Sequence, residues 1–127
     1  MKIAINSCYG GFSLSPRAVK RLYELKGKKC FFFDMHLNPL DVTKAGLFFI
    51  AYDIPNPTRA TPGNHYLDTR PDDRTDPHLI QTIEELGELA NGSCAELSII
   101  EIPDDVEWVL DEYDGIETVH EKHRSWP

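Results

Sequence analysis

The turn Asn6–Leu14, with the sequence Asn-Ser-Cys-Tyr-Gly-Gly-Phe-Ser-Leu, carries the residues best suited to chemistry. An alternating apolar run before it predicts a strand, and the Ser15-Pro16 pair after it predicts the start of a helix. Such a turn presents unpaired N–H groups and the positive end of the helix dipole, which together bind phosphate or carboxylate. Because a plain strand-to-helix connection also needs turn glycines, anion binding and simple architecture stay alternatives.

The turn offers hydroxyl, thiol, aromatic and glycine groups to a ligand, and the following helix offers two cations. The predicted ligand-binding residues are Ser7, Cys8, Tyr9, Gly10, Gly11, Phe12, Ser13, Arg17 and Arg21. The full G-x-G-x-x-G and G-x-x-x-x-G-K-S/T patterns are absent, which argues against a standard dinucleotide site or P-loop. From the residues alone we therefore expect a small ligand that carries a phosphate or carboxylate, and no cofactor.

Other reactive side chains have both a chemical and an ordinary structural interpretation. Cys8 lies near a helix start, where a cysteine can become a nucleophile, but a single cysteine is more often a packing residue. His120 and His123 have the spacing of two metal ligands on a helix, but no Cys or His cluster completes a tetrahedral set. We assign no catalytic residue and no metal ligand.

The stretch Ile54–Asp76 is rich in proline and poor in large apolar residues, which predicts a long loop at 54–76. A lid or interface arm and a disordered excursion are both open interpretations. Four aspartates crowd its second half: Asp68, Asp72, Asp73 and Asp76. Because Arg70 and Arg74 alternate with them, we predict a self-compensating, solvated surface.

The elements that position these residues follow from apolar periodicity and from caps. Helices are predicted from Ser15 to Gly27 and from Asp76 to Asn91. The predicted strands are Lys2–Ser7, Cys30–Asp34, Leu47–Asp53, Leu97–Ile102, Val106–Leu110 and Ile116–His120. The last three are expected to form an antiparallel β-meander, closed by an Asp114-Gly115 hairpin turn. The predicted fold class is α/β (α+β), with an N-terminal strand–glycine turn–helix, a second helix and the C-terminal meander.

Composition limits the class of protein. With 127 residues, 41% of them hydrophobic, we expect one globular domain over residues 1–127. No apolar run approaches the ~20 residues that span a bilayer, and no signal peptide is recognisable, so a cytoplasmic protein is expected. Three widely spaced cysteines indicate reduced thiols. A net charge of −8 disfavours a nucleic-acid backbone as partner.

Charge and aromatic placement bear on assembly. Residues 1–50 hold eight Lys/Arg against three Asp/Glu, whereas residues 101–127 hold two against nine. These segments can attract one another within a chain or between protomers, or both can be ordinary solvated surface. Trp126 is hard to place in the core and would pack well on a partner subunit or on a ligand base. We therefore expect a homo-oligomer.

Residues 1–14 resemble the opening of the B-type ribose-5-phosphate isomerases. In that family a similar strand leads into an Asp-His-Ala-Gly-Phe loop at the sugar-phosphate site, and Cys8-Tyr9 stands where its Asp-His pair would be. The resemblance implies a phosphorylated sugar or nucleotide at the turn. The family's later glycine-rich phosphate loop and catalytic cysteine motif have no counterpart in this sequence.

A broader resemblance is to a family of small uncharacterised proteins of tailed bacteriophages. The matching segments are Asn6–Ser15, Arg74–Pro77, Glu84–Gly87, Ala90–Gly92, Glu101–Trp108, Glu112–Gly115 and Glu121–Trp126. The resemblance implies a phage gene product that works in the host cytoplasm. Small phage proteins without catalytic motifs often counter host defence.

Three functions are therefore expected as alternatives. The first is a non-enzymatic phage accessory protein that binds a small phosphorylated ligand, such as a host defence nucleotide signal, and sequesters it. The second is a diverged sugar-phosphate isomerase-like or nucleotide-processing enzyme. The third is a protein-binding inhibitor of a host defence factor, whose acidic C-terminal meander mimics nucleic acid.

Overall fold

The computed structural model describes residues 1–41 and 48–122, which form two α-helices, seven strands and two short 3₁₀ helices. The helices are α1 (Pro16–Leu25) and α2 (Pro77–Leu86), and the 3₁₀ helices are Gly63–His65 and Gly87–Ala90. The strands are β1 (Lys2–Asn6), β2 (Phe31–Phe33), β3 (Pro39–Leu40), β4 (Ile50–Tyr52), β5 (Leu97–Glu101), β6 (Trp108–Tyr113) and β7 (Ile116–Glu121). The predicted mixed α+β class is confirmed. Leu47, His123 and Trp126 lie outside the described residues.

The strands form three small antiparallel sheets. β1 pairs with β5, β2 lies between β3 and β4, and β6 pairs with β7 in a hairpin. The hairpin turns at Asp114 and Gly115, both with positive φ, as the sequence predicts. The first strand of the expected meander, β5, pairs with the distant β1 instead of with β6. Local turn signals predict hairpins, but they carry no information about a pairing across most of the chain.

The helix starts follow the predicted caps. The Ala18 N–H donates to Ser15 Oγ at 3.2 Å, and the His78 N–H donates to Asp76 Oδ1 at 2.9 Å. Proline follows each cap at the first helical position, where its missing N–H is harmless. α2 ends at Leu86, earlier than predicted, because Gly87 has a φ of +56° and the chain continues as a 3₁₀ helix.

The core lies between the two helices, one face of the β1–β5 sheet and the strands β2 and β4. Its most buried members include Leu14, Val19, Leu22 and Leu79. The other face of β1 is also covered, since Ile3 and Ile5 are buried and β7 lies against β1. The strand β1, which leads into the glycine turn, is thus packed on both of its faces.

The segment 54–76 is held along β4 by backbone hydrogen bonds. The Leu67 N–H donates to Ala51 O, and the Asp53 N–H donates to His65 O, both at 2.9 Å. Leu67 is buried in the core. The segment then passes the turn, where the Leu14 N–H donates to Thr69 O at 3.3 Å. Within the described residues, no helix has both the length and the apolar character needed to cross a membrane.

Candidate functional site

Asn6 fixes the start of the glycine turn. Its side chain is fully buried, and its Nδ2 donates to the backbone oxygens of Cys8 and Gly115, both at 2.7 Å. Its Oδ1 accepts the Glu96 N–H at 2.8 Å. A buried amide with its donors and acceptor satisfied is a strong positional constraint. One side chain therefore ties the turn to the β6–β7 hairpin and to the chain before β5.

The hairpin turn packs directly on the glycine turn. The Gly10 N–H donates to Asp114 O at 3.2 Å. A Cβ at Gly115 would lie 2.2 Å from the Gly11 nitrogen and 2.6 Å from the Gly10 nitrogen, so only glycine fits there. Gly115 also has a φ of +87°, which disfavours every other residue. The glycines of both turns thus allow two backbones to touch.

Much of the anion-binding capacity of the turn is used within the protein. The Ser7 N–H donates to Glu96 O at 2.8 Å, and the Ser15 N–H donates to Ala90 O at 2.9 Å. The Ser15 hydroxyl, which caps α1, donates to Leu89 O at 2.6 Å. The 3₁₀ helix Gly87–Ala90 therefore contacts the N-terminus of α1. A ligand has to approach the flanks of the turn instead of the end of the helix.

Arg74 corrects the prediction of a solvated, self-compensating loop. Its side chain is only 12% exposed and forms a bidentate ion pair with Glu117 of β7, which is 7% exposed. Nη2 lies 2.9 Å from Oε2, and the guanidinium carbon lies 3.7 Å from the centroid of the Phe12 ring. The Asn6 N–H donates to Glu117 Oε1 at 2.9 Å. This buried pair is a structural link between the loop, the turn and the hairpin.

Some of the predicted ligand-binding residues line cavities, whereas others are buried or hydrogen-bonded within the protein. Gly10 and Ser13 line one cavity, and Tyr9, Gly10 and Gly11 line a second one. Phe12 is buried beneath Arg74.

The remaining predicted residues lie away from these cavities. The Ser7 hydroxyl donates to Glu96 O at 3.1 Å, and Cys8 is half-buried beside Asn6. Arg21 of α1 donates from Nε and Nη2 to the Glu85 carboxylate at 2.7 and 3.1 Å, which lowers the pKa of Glu85. Arg17 is exposed on the same helix. Neither arginine is among the residues that line the two cavities.

The first cavity, which we call the inner cavity, has a volume of about 440 Å³. The strand-side wall is apolar and consists of Met35, Phe48, Phe49 and Ile50. The turn-side wall consists of Gly10, Ser13, Leu14, Thr69, Arg70, Ser93 and Cys94. An apolar cavity with a few convergent polar groups is the usual form of a small-molecule site.

The second cavity, which we call the outer cavity, has a volume of about 590 Å³ and lies towards the hairpin turn. It is lined by Tyr9, Gly10, Gly11, Arg70, Glu112, Asp114 and Gly115. Gly10 and Arg70 belong to both cavities, so the two are neighbours. Arg70 is exposed, and its guanidinium makes no ion pair with any described residue. The free cation of the site is therefore Arg70.

Sequence reasoning did not assign Arg70 or Phe48 to the site. Arg70 resembles Arg74 in its local sequence, and its position depends on the Leu14–Thr69 hydrogen bond between distant segments. Phe48 follows the pattern of a core strand, yet its side chain is 82% exposed. That exposure has no local sequence signal, because Phe48 lies in an apolar run that is typical of a buried strand.

Other features of the described residues are weaker candidates for a functional site. A depression of about 600 Å³ beside β1 and α2 contains Lys2 and Glu84, which pair with each other at 3.0 Å. Burial raises the pKa of Cys30 to about 12, so this thiol stays protonated at neutral pH. His120 Nε2 lies 2.9 Å from the Thr118 hydroxyl. Among the described residues, no group of three or more potential ligands could hold a metal ion.

No protein-family model, curated protein or solved structure matches this chain. The phage and isomerase resemblances therefore stay predictions. What defines the candidate site is its geometry, in which a free arginine and a glycine turn lie between two cavities.

Proposed function

We propose that this chain binds a small phosphorylated ligand at Arg70, on the flank of the glycine turn. The observation that carries the proposal is the unpaired Arg70 guanidinium at the place where the inner and outer cavities meet. A guanidinium presents a planar fork of donors that suits phosphate oxygens. Arg70 takes the role that the sequence assigned to Arg17 and Arg21.

The surroundings of Arg70 favour a ligand with more than a phosphate. Ser13, whose hydroxyl donates to Ser93 O at 3.2 Å, lines the inner cavity on the same side. Phe48 lines the same cavity and is largely exposed, so its ring is accessible to a planar group of a ligand. A phosphorylated molecule with an apolar or aromatic part uses both walls, and a nucleotide is such a molecule.

The biological role that we propose is sequestration of a nucleotide signal of host defence by a phage accessory protein. The resemblance to tailed-phage proteins is the support for this role. Sequestration and turnover are distinguished by recovery of the bound compound after heat denaturation. Intact release means sequestration, whereas a changed product means an enzyme of the isomerase-like or nucleotide-processing kind.

The binding proposal is tested by thermal shift of the purified chain against nucleotides and sugar phosphates, with Arg70→Gln as the variant. We expect at least one compound to raise the Tm of the wild type, and we expect the variant to lose most of that shift. Arg59→Gln is the matched control, because Arg59 is an exposed arginine of the same loop that lines neither cavity. Equal responses of both variants would refute Arg70 as the anion site.

A second candidate function is binding of a host protein through the β6–β7 hairpin. The observation that favours it is the outward face of this hairpin, where Tyr113 is 76% and Val109 40% exposed next to several carboxylates. Exposed aromatic and aliphatic side chains are typical anchors of protein interfaces. Loss of defence inhibition in Tyr113→Ser, with ligand binding unchanged, would support this candidate over the first.

A further inference from the structure

The two cavities differ in the charge of their walls. The outer cavity has two carboxylates, Glu112 and Asp114, whereas no Asp or Glu is among the residues that line the inner cavity. The Gly115 N–H donates to Glu112 Oε1 at 2.6 Å, so the hairpin turn sets the direction of this carboxylate. Two anions repel a phosphate and accept hydrogen bonds from hydroxyl or amino groups. The outer cavity therefore suits the part of a ligand that carries such donors.

The inner cavity supplies an open aromatic surface. Phe49 is partly buried and packs against the core through an edge-to-face contact with Phe32, with ring centroids 5.5 Å apart. The side chains of Phe48 and Met35 are 82% and 83% exposed and line the cavity. Exposed aromatic rings stack with nucleobases of any sequence, and methionine adapts to irregular apolar shapes.

We propose that the ligand is a ribonucleotide with a single phosphate group, and this inference rests on the proposed binding at Arg70. The phosphate lies at Arg70 beside Gly10, where the cavities meet. The ribose hydroxyls donate to Glu112 and Asp114, as carboxylates commonly bind the ribose of nucleotides. The base lies against Phe48 and Met35. The hydroxyls thus contact carboxylates, the phosphate contacts a cation, and the base contacts an apolar wall.

The carboxylates also limit the number of phosphates. Each further phosphate adds negative charge close to Glu112 and Asp114, on a chain with a net charge of −8. Arg70 is the one cation that lines either cavity among the described residues. A nucleoside monophosphate is therefore favoured over a triphosphate.

Calorimetric titration of the full chain tests this inference with defined probes. The probes are the four ribonucleoside 5′-monophosphates and, for the tightest of them, the 2′,3′-dideoxy analogue, the 5′-triphosphate and ribose 5-phosphate. We expect each of these three to bind about tenfold or more weakly than the monophosphate. The dideoxy analogue lacks the hydroxyls that donate to the carboxylates, and ribose 5-phosphate lacks the base. The additional phosphates of the triphosphate are repelled by Glu112 and Asp114.

Two variants identify the carboxylates. Asp114→Asn is expected to fold, since Asp114 has a φ of +50° and asparagine tolerates that conformation. Glu112→Gln keeps an acceptor for the Gly115 N–H. In both, the preference for ribose over dideoxyribose is expected to fall at least about threefold, because a neutral amide is a weaker acceptor. Asp105→Asn, an exposed hairpin-side carboxylate outside both cavities, is the control.

The outcomes separate the two proposals. Arg70-dependent binding of a phosphorylated compound with no preference for ribose overturns the ribonucleotide inference and leaves the proposed function standing. An unchanged preference in both carboxylate variants also overturns the inference. Failure of every phosphorylated compound to bind overturns the proposed function and the inference together.

Discussion

Arg70 and Arg74 belong to one short segment, yet they have opposite environments beside the same turn. Arg74 is buried against Phe12 and paired with Glu117, and its hydrogen-bonding groups face protein atoms. Arg70 is exposed between two cavities, and it pairs with no described residue. The comparison teaches that the turn has a closed side, where Arg74 links three elements, and an open side, where we propose that a ligand binds.

The largest expected effect is the loss of the buried pair on the closed side. Arg74→Ala leaves the Glu117 carboxylate buried without a cation, so we expect unfolding to become easier by about 3–5 kcal/mol. Urea denaturation measures this change. The double variant Arg74→Met/Glu117→Gln is expected to recover much of the loss, because it removes both charges and keeps an oxygen acceptor for the Asn6 N–H. A single variant as stable as the wild type would contradict the structural role of the pair.

The next effect concerns the contact between the two turns. In Gly115→Ala the new methyl group would meet the backbone nitrogens of Gly10 and Gly11, and the positive φ adds strain, so we expect a loss of about 2–3 kcal/mol. Gly11→Ala is the matched control, since a Cβ there meets open space and only the φ of +96° is unfavourable. Its expected cost is about 1 kcal/mol. Equal costs would mean that the turns do not touch.

A smaller effect on stability is expected from Asp76, the last residue of the segment 54–76 that contains Arg70 and Arg74. Partial burial works to raise the pKa of Asp76, but hydrogen bonds from Lys26 Nζ at 2.7 Å and from the His78 N–H outweigh it, so the pKa is lowered from 3.8. The folded state then binds fewer protons than the unfolded state. The resulting stability is present above the unfolded pKa and is lost as the pH falls through the lower, folded pKa.

The variant Asp76→Asn tests this dependence, because asparagine still caps a helix but does not titrate. Between about pH 5 and pH 2, the Tm of the wild type is expected to fall more steeply than that of the variant. Circular dichroism melts at several pH values measure the difference. Parallel pH profiles would exclude a contribution from this carboxyl.

The smallest effect on stability is expected on the open side. Arg70→Met removes no buried contact, so the free energy of unfolding should change by no more than about 0.5 kcal/mol. The same variant is expected to abolish the ligand-dependent thermal shift. A loss of stability as large as that of Arg74→Ala would erase the distinction between the two sides.

The sequence predicted what depends on neighbours along the chain. Ser15 and Asp76 act as caps, and Asp114-Gly115 turns a hairpin, because each of these features involves residues a few positions apart. Arg74 was wrongly placed in a solvated loop, since its partner Glu117 lies 43 residues away on another element. Arg70 and Phe48 could not be assigned for the same reason. Exposure and pairing at such positions depend on how distant segments meet.

The pairing of β1 with β5 also constrains how the protein is made. The Glu96 N–H donates to the side chain of Asn6, 90 residues earlier in the chain, and the residues that pair β1 with β5 are separated by slightly more. At about 5–20 residues per second, the ribosome needs roughly 5–20 s to make the intervening segment. During that time Ile3 and Ile5 have no partner strand. The strand β1 is therefore among the last elements to be secured, because its partner β5 is made only after both helices.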